Sequence, residues 1–330
     1  MFVQPVVHLA DGALVKVEGL ARLRTPEGGI LTPDRFLPAL GDTDLDSLFR
    51  QGLAQGLGHL RRWRDQGLDL GLSINIAPSS LVHPDCARWI GEALREAGVA
   101  PHHLTLELLE SQTLEDDTVG ESIRRIALGG VRFALDDLGA GFSNLNRLAR
   151  LPFQLIKIDQ NIVKDLLSDP IKSLSLIRTL VQVGQDLEQE VVVEGLEDDG
   201  VIEAAIRLGC RLGQGYGLGR PMPAAELTEW IESRSYRGSN DPRLHSWPGA
   251  LAFEWMVMHD PLHLRHPGNL ASCPITDFFQ EQGVDDAMVL DWHRQIHDEL
   301  DESVRIQVKR SLLEWMARKI RTTIPDEKSA

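Results

Sequence analysis

From the start of the chain to about residue 233, short runs of β-branched and aliphatic residues alternate with stretches whose apolar positions recur at helical spacing. The pattern predicts strands over 5–9, 14–23, 70–76, 104–108, 131–136, 155–158, 191–193 and 212–214. Between them it predicts helices over 33–65, 79–97, 116–128, 170–188 and 198–208. Alternation of this kind belongs to an α/β fold with a largely parallel sheet, and about eight strands suit a closed TIM-like (β/α)8 barrel. A doubly wound open sheet is the competing architecture. Residues 234–249 are rich in Ser, Gly and Pro and read as a linker after a barrel spanning 1–233. Beyond it, 250–259 and 287–322 read as helices joined by the Pro/Gly-punctuated stretch 260–283. Residues 250–330 are therefore expected to form a small all-helical domain.

The polar residues that interrupt these apolar strands carry the chemistry. Glu18, Asn75, Glu107, Asp136 with Asp137, Lys157, Glu194 and Gln214 fall within or at the carboxyl ends of seven successive candidate strands. A carboxylate in an apolar strand needs a partner or a metal. One such acid is explained by an ion pair; a series on strand after strand points to a site, because these ends converge at one face of a barrel. Oxygen donors of this kind suit hard divalent cations such as Mg²⁺ or Mn²⁺. Adjacent aspartates normally point to opposite faces, so Asp136 and Asp137 require a bend at the strand end to reach one metal pair. Two metals held about 3.5–4 Å apart are a standard device for cleaving phosphodiesters. Lys157 would stabilise developing negative charge or orient the attacking water, unless it simply pairs with Asp159 or another acid.

Composition narrows the partners. A formal net charge of −15, from 34 basic and 49 acidic side chains, argues against a nonspecific binder of nucleic acid or of membrane surfaces. Bound divalent metals can reverse the local sign of an acidic pocket, so a small phosphorylated ligand stays open. The three cysteines, Cys86, Cys210 and Cys273, are widely spaced and odd in number, which suits a reducing cytoplasm better than a disulfide framework. No leader pattern and no apolar run of membrane-spanning length is expected.

The same residues carry a close resemblance to the EAL family of cyclic-di-GMP-specific phosphodiesterases, over roughly residues 3–227. Gln4-Pro5 is similar to the family's opening, and EGLAR (18–22) stands where its signature Glu-Ala-Leu and following arginine occur. SINIAPSSL (73–81), LTLELLES (104–111) and ALDDLGAGFSNL (134–145) resemble its asparagine, glutamate and paired-aspartate motifs. LIKID (155–159), VEGLE (193–197) and GCRLGQGYGLGRP (209–221) complete the set in order. The resemblance implies a barrel with one strand antiparallel, two catalytic divalent metals, and hydrolysis of cyclic-di-GMP to linear pGpG. It implies that Glu18, Asn75, Glu107 and Asp136 ligate one metal and that Asp136, Asp137 and Glu194 ligate the second. Lys157 would lie near the nucleophilic water and share the general-base role with Glu194 and the metals, with Gln214 fixing the water network. Arg22 would contact phosphate and Gln4 the nucleotide. Glu110 would anchor the Gly-rich loop near a homodimer interface formed by the barrel. Gly19 replaces the signature alanine, and Ala140 and Leu109 replace threonines common in the family. The segment FLPALGDTD also lacks the family's usual acidic pair after Pro33. None of these departures removes a ligand.

The C-terminal part loosely resembles the chemoreceptor zinc-binding family over about residues 243–308. Cys273 precedes PITDFF, and His293 and His297 stand at i and i+4 on one helix face. With a histidine from among His245, His259, His263 and His266, they would form a Cys/His₃ zinc site. The bland alternative makes Cys273 a small core residue and the histidines partly exposed. The aromatics Trp247, Phe253, Trp255, Phe278, Phe279 and Trp292 read as core. Two other classes of function compete with the enzyme: a catalytically silent cyclic-di-GMP receptor, and a zinc-sensing assembly module.

Overall fold

A computed structural model of the chain describes residues 1–109, 117–139, 148, 150–259, 269–298 and 301–323. Eight strands close into a barrel. In ring order they are β1 (Phe2–His8), β2 (Leu14–Leu20), β5 (Gly71–Asn75), β6 (Leu104–Leu109), β7 (Arg132–Leu138), β8 (Leu155–Ile158), β9 (Glu190–Val193) and β10 (Leu212–Gly213), with β10 pairing back to β1. The short strands β3 (Leu23–Arg24) and β4 (Ile30–Leu31) form a separate hairpin, and β11 (Met222–Pro223) extends the edge of β1. β1 is antiparallel to β2 and β10, and every other barrel pairing is parallel. The reversal follows from connection length. Only five residues join β1 to β2, too few for a crossover.

Helices cover the outside of the sheet: α1 (Pro33–Phe36), α2 (Asp42–Asp65), α3 (Pro78–Val82), α4 (Cys86–Ala97), α5 (Asp117–Leu128), α6 (Gln160–Ser168), α7 (Pro170–Asp186), α8 (Asp199–Arg207) and α9 (Leu227–Ser233). Two of the long helices expected from the sequence are divided. The first breaks around Gly41, the second around His83–Asp85, so that each is a short helix entered through proline followed by a longer one.

Inside the barrel, alternation sets two layers. Val6, Ala134, Leu155, Val192 and Leu212 are buried together as an apolar plug. Two residues away on the same inward face of each strand stand Gln4, Asp136, Lys157, Glu194 and Gln214. The apolar layer thus forms a dry floor beneath a polar layer at one mouth of the barrel.

Backbone fit holds that layer in register. A β-carbon on Gly215 would lie 2.3 Å from both the backbone nitrogen and the oxygen of Leu196. Leu196 in turn donates its backbone N–H to the Gln214 carbonyl at 3.2 Å. Main chain on both sides leaves nothing to rotate away. Gly215→Ala is therefore expected to destabilise the chain by about 1–3 kcal/mol through overpacking, read as a lower thermal midpoint. An unchanged midpoint would mean the Gly215–Leu196 contact is loose.

Four helices follow the barrel: α10 (Trp247–His259), α11 (Pro274–Glu281), α12 (Ala287–Asp298) and α13 (Glu302–Thr323). α11 lies within the stretch 260–283 expected as a loop, and the single helix expected over 287–322 is divided into α12 and α13. α10 lies against α8, and α13 reaches α7 and α6. The segment between α9 and α10 is pinned to the barrel. Tyr236 donates its hydroxyl to the Leu9 carbonyl, and Ser239 donates its backbone N–H to the same oxygen at 3.1 Å. The Glu203 carboxylate of α8 accepts from the His245 backbone at 3.1 Å and from the Ser246 hydroxyl at 2.6 Å, just before α10 begins. Among the described residues, no helix is long and apolar enough to cross a membrane.

Candidate active site

The strand-end residues meet at the mouth of the barrel. Lys157, on β8, is 2% exposed, and its Nζ stands 3.1 Å from Glu18 Oε2, 3.1 Å from Glu107 Oε2, 3.1 Å from Asp136 Oδ1 and 2.7 Å from Glu194 Oε1. Four strands thus deliver four carboxylates to one ammonium. Gln214 donates to Glu18 Oε2 at 2.8 Å and to Gln4 Oε1 at 3.2 Å, and Asn75 donates to Glu18 Oε1 at 3.0 Å. Gln4 itself donates to the Gly219 carbonyl at 3.2 Å. Gln4, Glu18, Asn75, Glu107, Asp136, Lys157, Glu194 and Gln214 are therefore one hydrogen-bonded constellation.

Asp137 joins it through a local break in the strand. The β7–β8 register shifts between Leu135 and Leu138, and Asp137 has φ +60°, a conformation uncommon for a residue other than glycine. The bend lets neighbouring residues face the same side. Oxygens of Glu18, Glu107 and Asp136 all lie within 4.8 Å of one another, and so do oxygens of Asp136, Asp137 and Glu194. Asp136 belongs to both groups.

Electrostatics at this mouth are unbalanced. Burial alone would lower the Lys157 ammonium, but Asp136, Glu107, Glu18 and Glu194 together hold it well above its usual range. Burial pushes Glu107 up to about 8, against the pull of Lys157 and with added repulsion from Glu18 and Asp136. Burial likewise pushes Glu194 up to about 8, and Asp137 up to about 6 with help from Asp136 and Asp159. Glu18 goes the other way: burial opposes ionisation, but Lys157 and hydrogen bonds from Gln214 and Asn75 outweigh it. Five carboxylates against one ammonium leave four formal negative charges in a largely buried space. Two divalent cations would balance them, and the oxygen-only donor set is the kind that Mg²⁺ or Mn²⁺ takes. Gln214 Oε1, buried and without a hydrogen-bond partner among the described residues, is a further acceptor at the same mouth. The residues present fit a two-metal centre.

Arg22 sits at the rim, half-buried, with its guanidinium 5.2 Å from the centre of the Phe2 ring and donating to the Ala21 carbonyl at 2.7 Å. Glu110, Ala140 and Gly141 lie outside the described residues. A buried neighbour that the strand-end pattern did not single out is Lys16, which donates to Thr105 Oγ1 at 3.2 Å. Burial lowers its ammonium to about 8, while Glu107 favours its charge. The signal was available, since Lys16 precedes Glu18 by two and shares its inward face.

A second cluster lies in the C-terminal helices. Cys273 Sγ is 3.4 Å from His293 Nε2, which is 3.4 Å from His297 Nε2. One donor atom from each of the three lies within 4.8 Å of the other two. Cys273 is fully buried and His293 is 3% exposed. Of the candidate fourth histidines, His245 faces Asp241 at 3.0 Å, and His259 stacks on Trp255 and bonds its carbonyl at 2.9 Å. Neither belongs to the cluster. His263 and His266 lie outside the described residues.

Comparison with known proteins places the first two thirds of the chain. A family model described as the EAL domain matches residues 1–221. The cyclic di-GMP phosphodiesterase RocR of Pseudomonas aeruginosa is 35% identical over 231 residues, covering 69% of this chain and 59% of the relative. The oxygen sensor protein DosP of Escherichia coli is 34% identical over 235 residues, covering 70% of this chain and 29% of the relative. The chain thus spans less than two thirds of either protein's length. Among solved structures, that of the PaMucR phosphodiesterase in complex with c-di-GMP superposes with a TM-score of 0.65 at 33% identity, covering 68% of this chain and 92% of that one. The EAL enzyme Bd1971, in its cAMP- and cyclic-di-GMP-bound form, gives 0.66 at 26% identity, covering 70% and 64%.

Proposed function

The chain belongs to the EAL domain family, and on that premise we propose that it is a metal-dependent phosphodiesterase that hydrolyses cyclic-di-GMP to linear pGpG. The observation that carries the reading is the pair of oxygen-donor groups that share Asp136, one wholly buried and the other partly exposed. Glu18, Asn75, Glu107 and Asp136 would hold one Mg²⁺ or Mn²⁺, and Asp136, Asp137 and Glu194 the other. When bound, these ions supply Lewis acidity at the phosphate and an activated water at neutral pH. The protein's own residues do the rest. Lys157, held as an ammonium by its carboxylate neighbours, donates hydrogen bonds to negative charge rather than accepting a proton. Glu194, 2.7 Å from Lys157 Nζ, takes the proton of the attacking water. Gln214, fixed by Glu18 and Gln4, orients that water through its second amide face. Arg22 and Gln4 at the rim hold a phosphate and a nucleotide. A catalytically silent receptor is the alternative, and the complete donor set opposes it. Incubation with cyclic-di-GMP and Mg²⁺ or Mn²⁺ tests the choice: pGpG is expected, and binding with no pGpG would favour the receptor.

Metal affinity carries a pH signature. Glu107 and Glu194, pushed up to about 8, and Asp137, pushed up to about 6, hold protons near neutrality that a cation must displace. Affinity for Mn²⁺ is therefore expected to rise steeply from pH 6 to about 8 and then level off. A titration with chelator-treated protein reads this directly, and a pH-independent affinity would contradict the donor assignment.

The same reading includes a homodimer through the barrel, with Glu110 anchoring the Gly-rich loop. Sedimentation of the full chain would give a dimer, whereas a monomer at all concentrations would oppose it. For the C-terminal helices, the convergence of Cys273, His293 and His297 supports a zinc site distinct in chemistry from the barrel's oxygen donors. Contact of α13 with α6 and α7, the helices that follow the Lys157 strand, supports a role for that site in modulating the barrel.

A further inference from the structure

Residues 214–221, QGYGLGRP, join β10 to β11 and begin at Gln214 of the candidate site. Two residues after that glutamine, Tyr216 is 50% exposed, whereas Leu218 in the same loop is buried. The main chain that presents the Tyr216 ring is fixed on both sides. Gly217 donates its backbone N–H to the Leu196 carbonyl at 2.9 Å, and Gly219 donates to the Gly215 carbonyl at 2.9 Å. A β-carbon on Gly217 would lie 2.8 Å from the Glu197 carbonyl oxygen. The loop therefore rests on the backbone that directly follows Glu194. An aromatic side chain with two torsions on such a backbone loses little freedom when a ligand lies against it.

The loop crosses the mouth of the barrel. Its Gly219 carbonyl accepts from Gln4 Nε2 at 3.2 Å, and Met222 just beyond it pairs with Val3 of β1. Burial lowers the Arg22 guanidinium, and Tyr216, Glu18 and Asp34 are near enough to pull it back up. Tyr216 thus shares the rim with Arg22. The Arg220 guanidinium stands 4.5 Å from the centre of the Tyr216 ring, within the range of a cation–π contact. Arg22 stands 5.2 Å from the Phe2 ring in the same way. The rim is therefore built of flat aromatic and guanidinium groups, while the floor of the mouth is carboxylate. A cyclic dinucleotide whose phosphate is drawn to that floor brings its bases to the rim. A base offers a flat π-face, and an aromatic ring is its usual stacking partner.

We propose that Tyr216, backed by Arg220, stacks on one purine base of the substrate and so contributes to base selectivity. The proposal rests on the reading of the chain as a cyclic-di-GMP phosphodiesterase. In it, Gln214 and Tyr216 divide the work of one loop: the first faces the reacting phosphate and the second holds the base.

Steady-state kinetics and equilibrium binding with the full chain in Mn²⁺ test this. Tyr216→Ala is expected to raise KM for cyclic-di-GMP by about 5- to 150-fold, the range for losing one stacked base. kcat and Mn²⁺ affinity should stay at the wild-type level, because the ring binds the base and not the metals. Tyr216→Phe should recover most of the loss, since stacking needs the ring and not the hydroxyl. Arg220→Met should raise KM by about 2- to 5-fold, as expected for an exposed cation–π contact. Preference for cyclic-di-GMP over cyclic-di-UMP should narrow in Tyr216→Ala, because the smaller pyrimidine gains less from the ring. An unchanged KM in Tyr216→Ala would overturn the proposal, as would a loss that Tyr216→Phe shares or one that comes with weaker Mn²⁺ binding. The binding arm separates this proposal from the enzyme reading. If wild type binds cyclic-di-GMP without forming pGpG, the enzyme reading fails, yet weaker binding by Tyr216→Ala still upholds the stacking role. A wild-type chain that neither binds nor hydrolyses cyclic-di-GMP would overturn both.

Discussion

Asp136→Asn is expected to abolish turnover of cyclic-di-GMP while leaving the metal-free chain as stable as before or more so. Asp136 is the residue common to both oxygen-donor groups, so its loss weakens both metal positions together. Metal assistance is worth several kcal/mol of transition-state stabilisation, which corresponds to a loss of at least about 10³-fold in rate. The stability effect runs the other way. Burial raises the Asp136 carboxyl, with Glu18 adding repulsion, so its ionised form opposes folding in the absence of metal. Asparagine keeps an acceptor for the Asp137 backbone N–H, which now donates to Asp136 Oδ1 at 3.1 Å, and removes the charge. Rate measurements and thermal melts on the same preparation test both halves. A variant that stays active, or one whose metal-free form collapses, would contradict this account.

Lys157→Met should give the opposite stability result. Its ammonium is the group shared by Glu18, Glu107, Asp136 and Glu194, all within 3.1 Å or closer. Removing it leaves buried carboxylates uncompensated, and breaking such a pair costs about 3–5 kcal/mol. The metal-free variant should therefore melt well below wild type, and saturating Mn²⁺ should recover much of the difference. Turnover should fall by about 10²–10³-fold, the range for losing one preorganised donor to developing charge. Substrate affinity should change much less, because Lys157 is 2% exposed whereas Arg22 and Gln4 are only partly buried and open to a ligand. Equal losses in binding and turnover would assign Lys157 to substrate binding instead.

How far these features could be read in the sequence depended on whether a local rule was broken. Glu18, Glu107, Asp136, Lys157 and Glu194 were legible because ionisable residues in apolar strands violate burial preference on strand after strand. The reversed first strand was carried by family resemblance, although the short β1–β2 connection also requires it. The break that brings Asp137 to the site was foreseen only as a bend; its positive φ comes from tertiary closure, which no pattern of apolar residues encodes. α11 was missed because Pro274 was read as a loop signal, whereas proline fits the first turn of a helix. α12 and α13 were fused because apolar periodicity resumes across the junction. The cue was Asp301, whose carboxylate accepts the Ser303 backbone N–H at 2.8 Å at the start of α13.

The most direct test of the central claim is a parallel measurement of cyclic-di-GMP binding and of pGpG formation by the full chain in Mn²⁺, with a chelator-treated control. Metal-dependent conversion to pGpG is expected, stopping on chelation and resuming when Mn²⁺ is restored. Saturable binding of cyclic-di-GMP with no pGpG in either condition would contradict it.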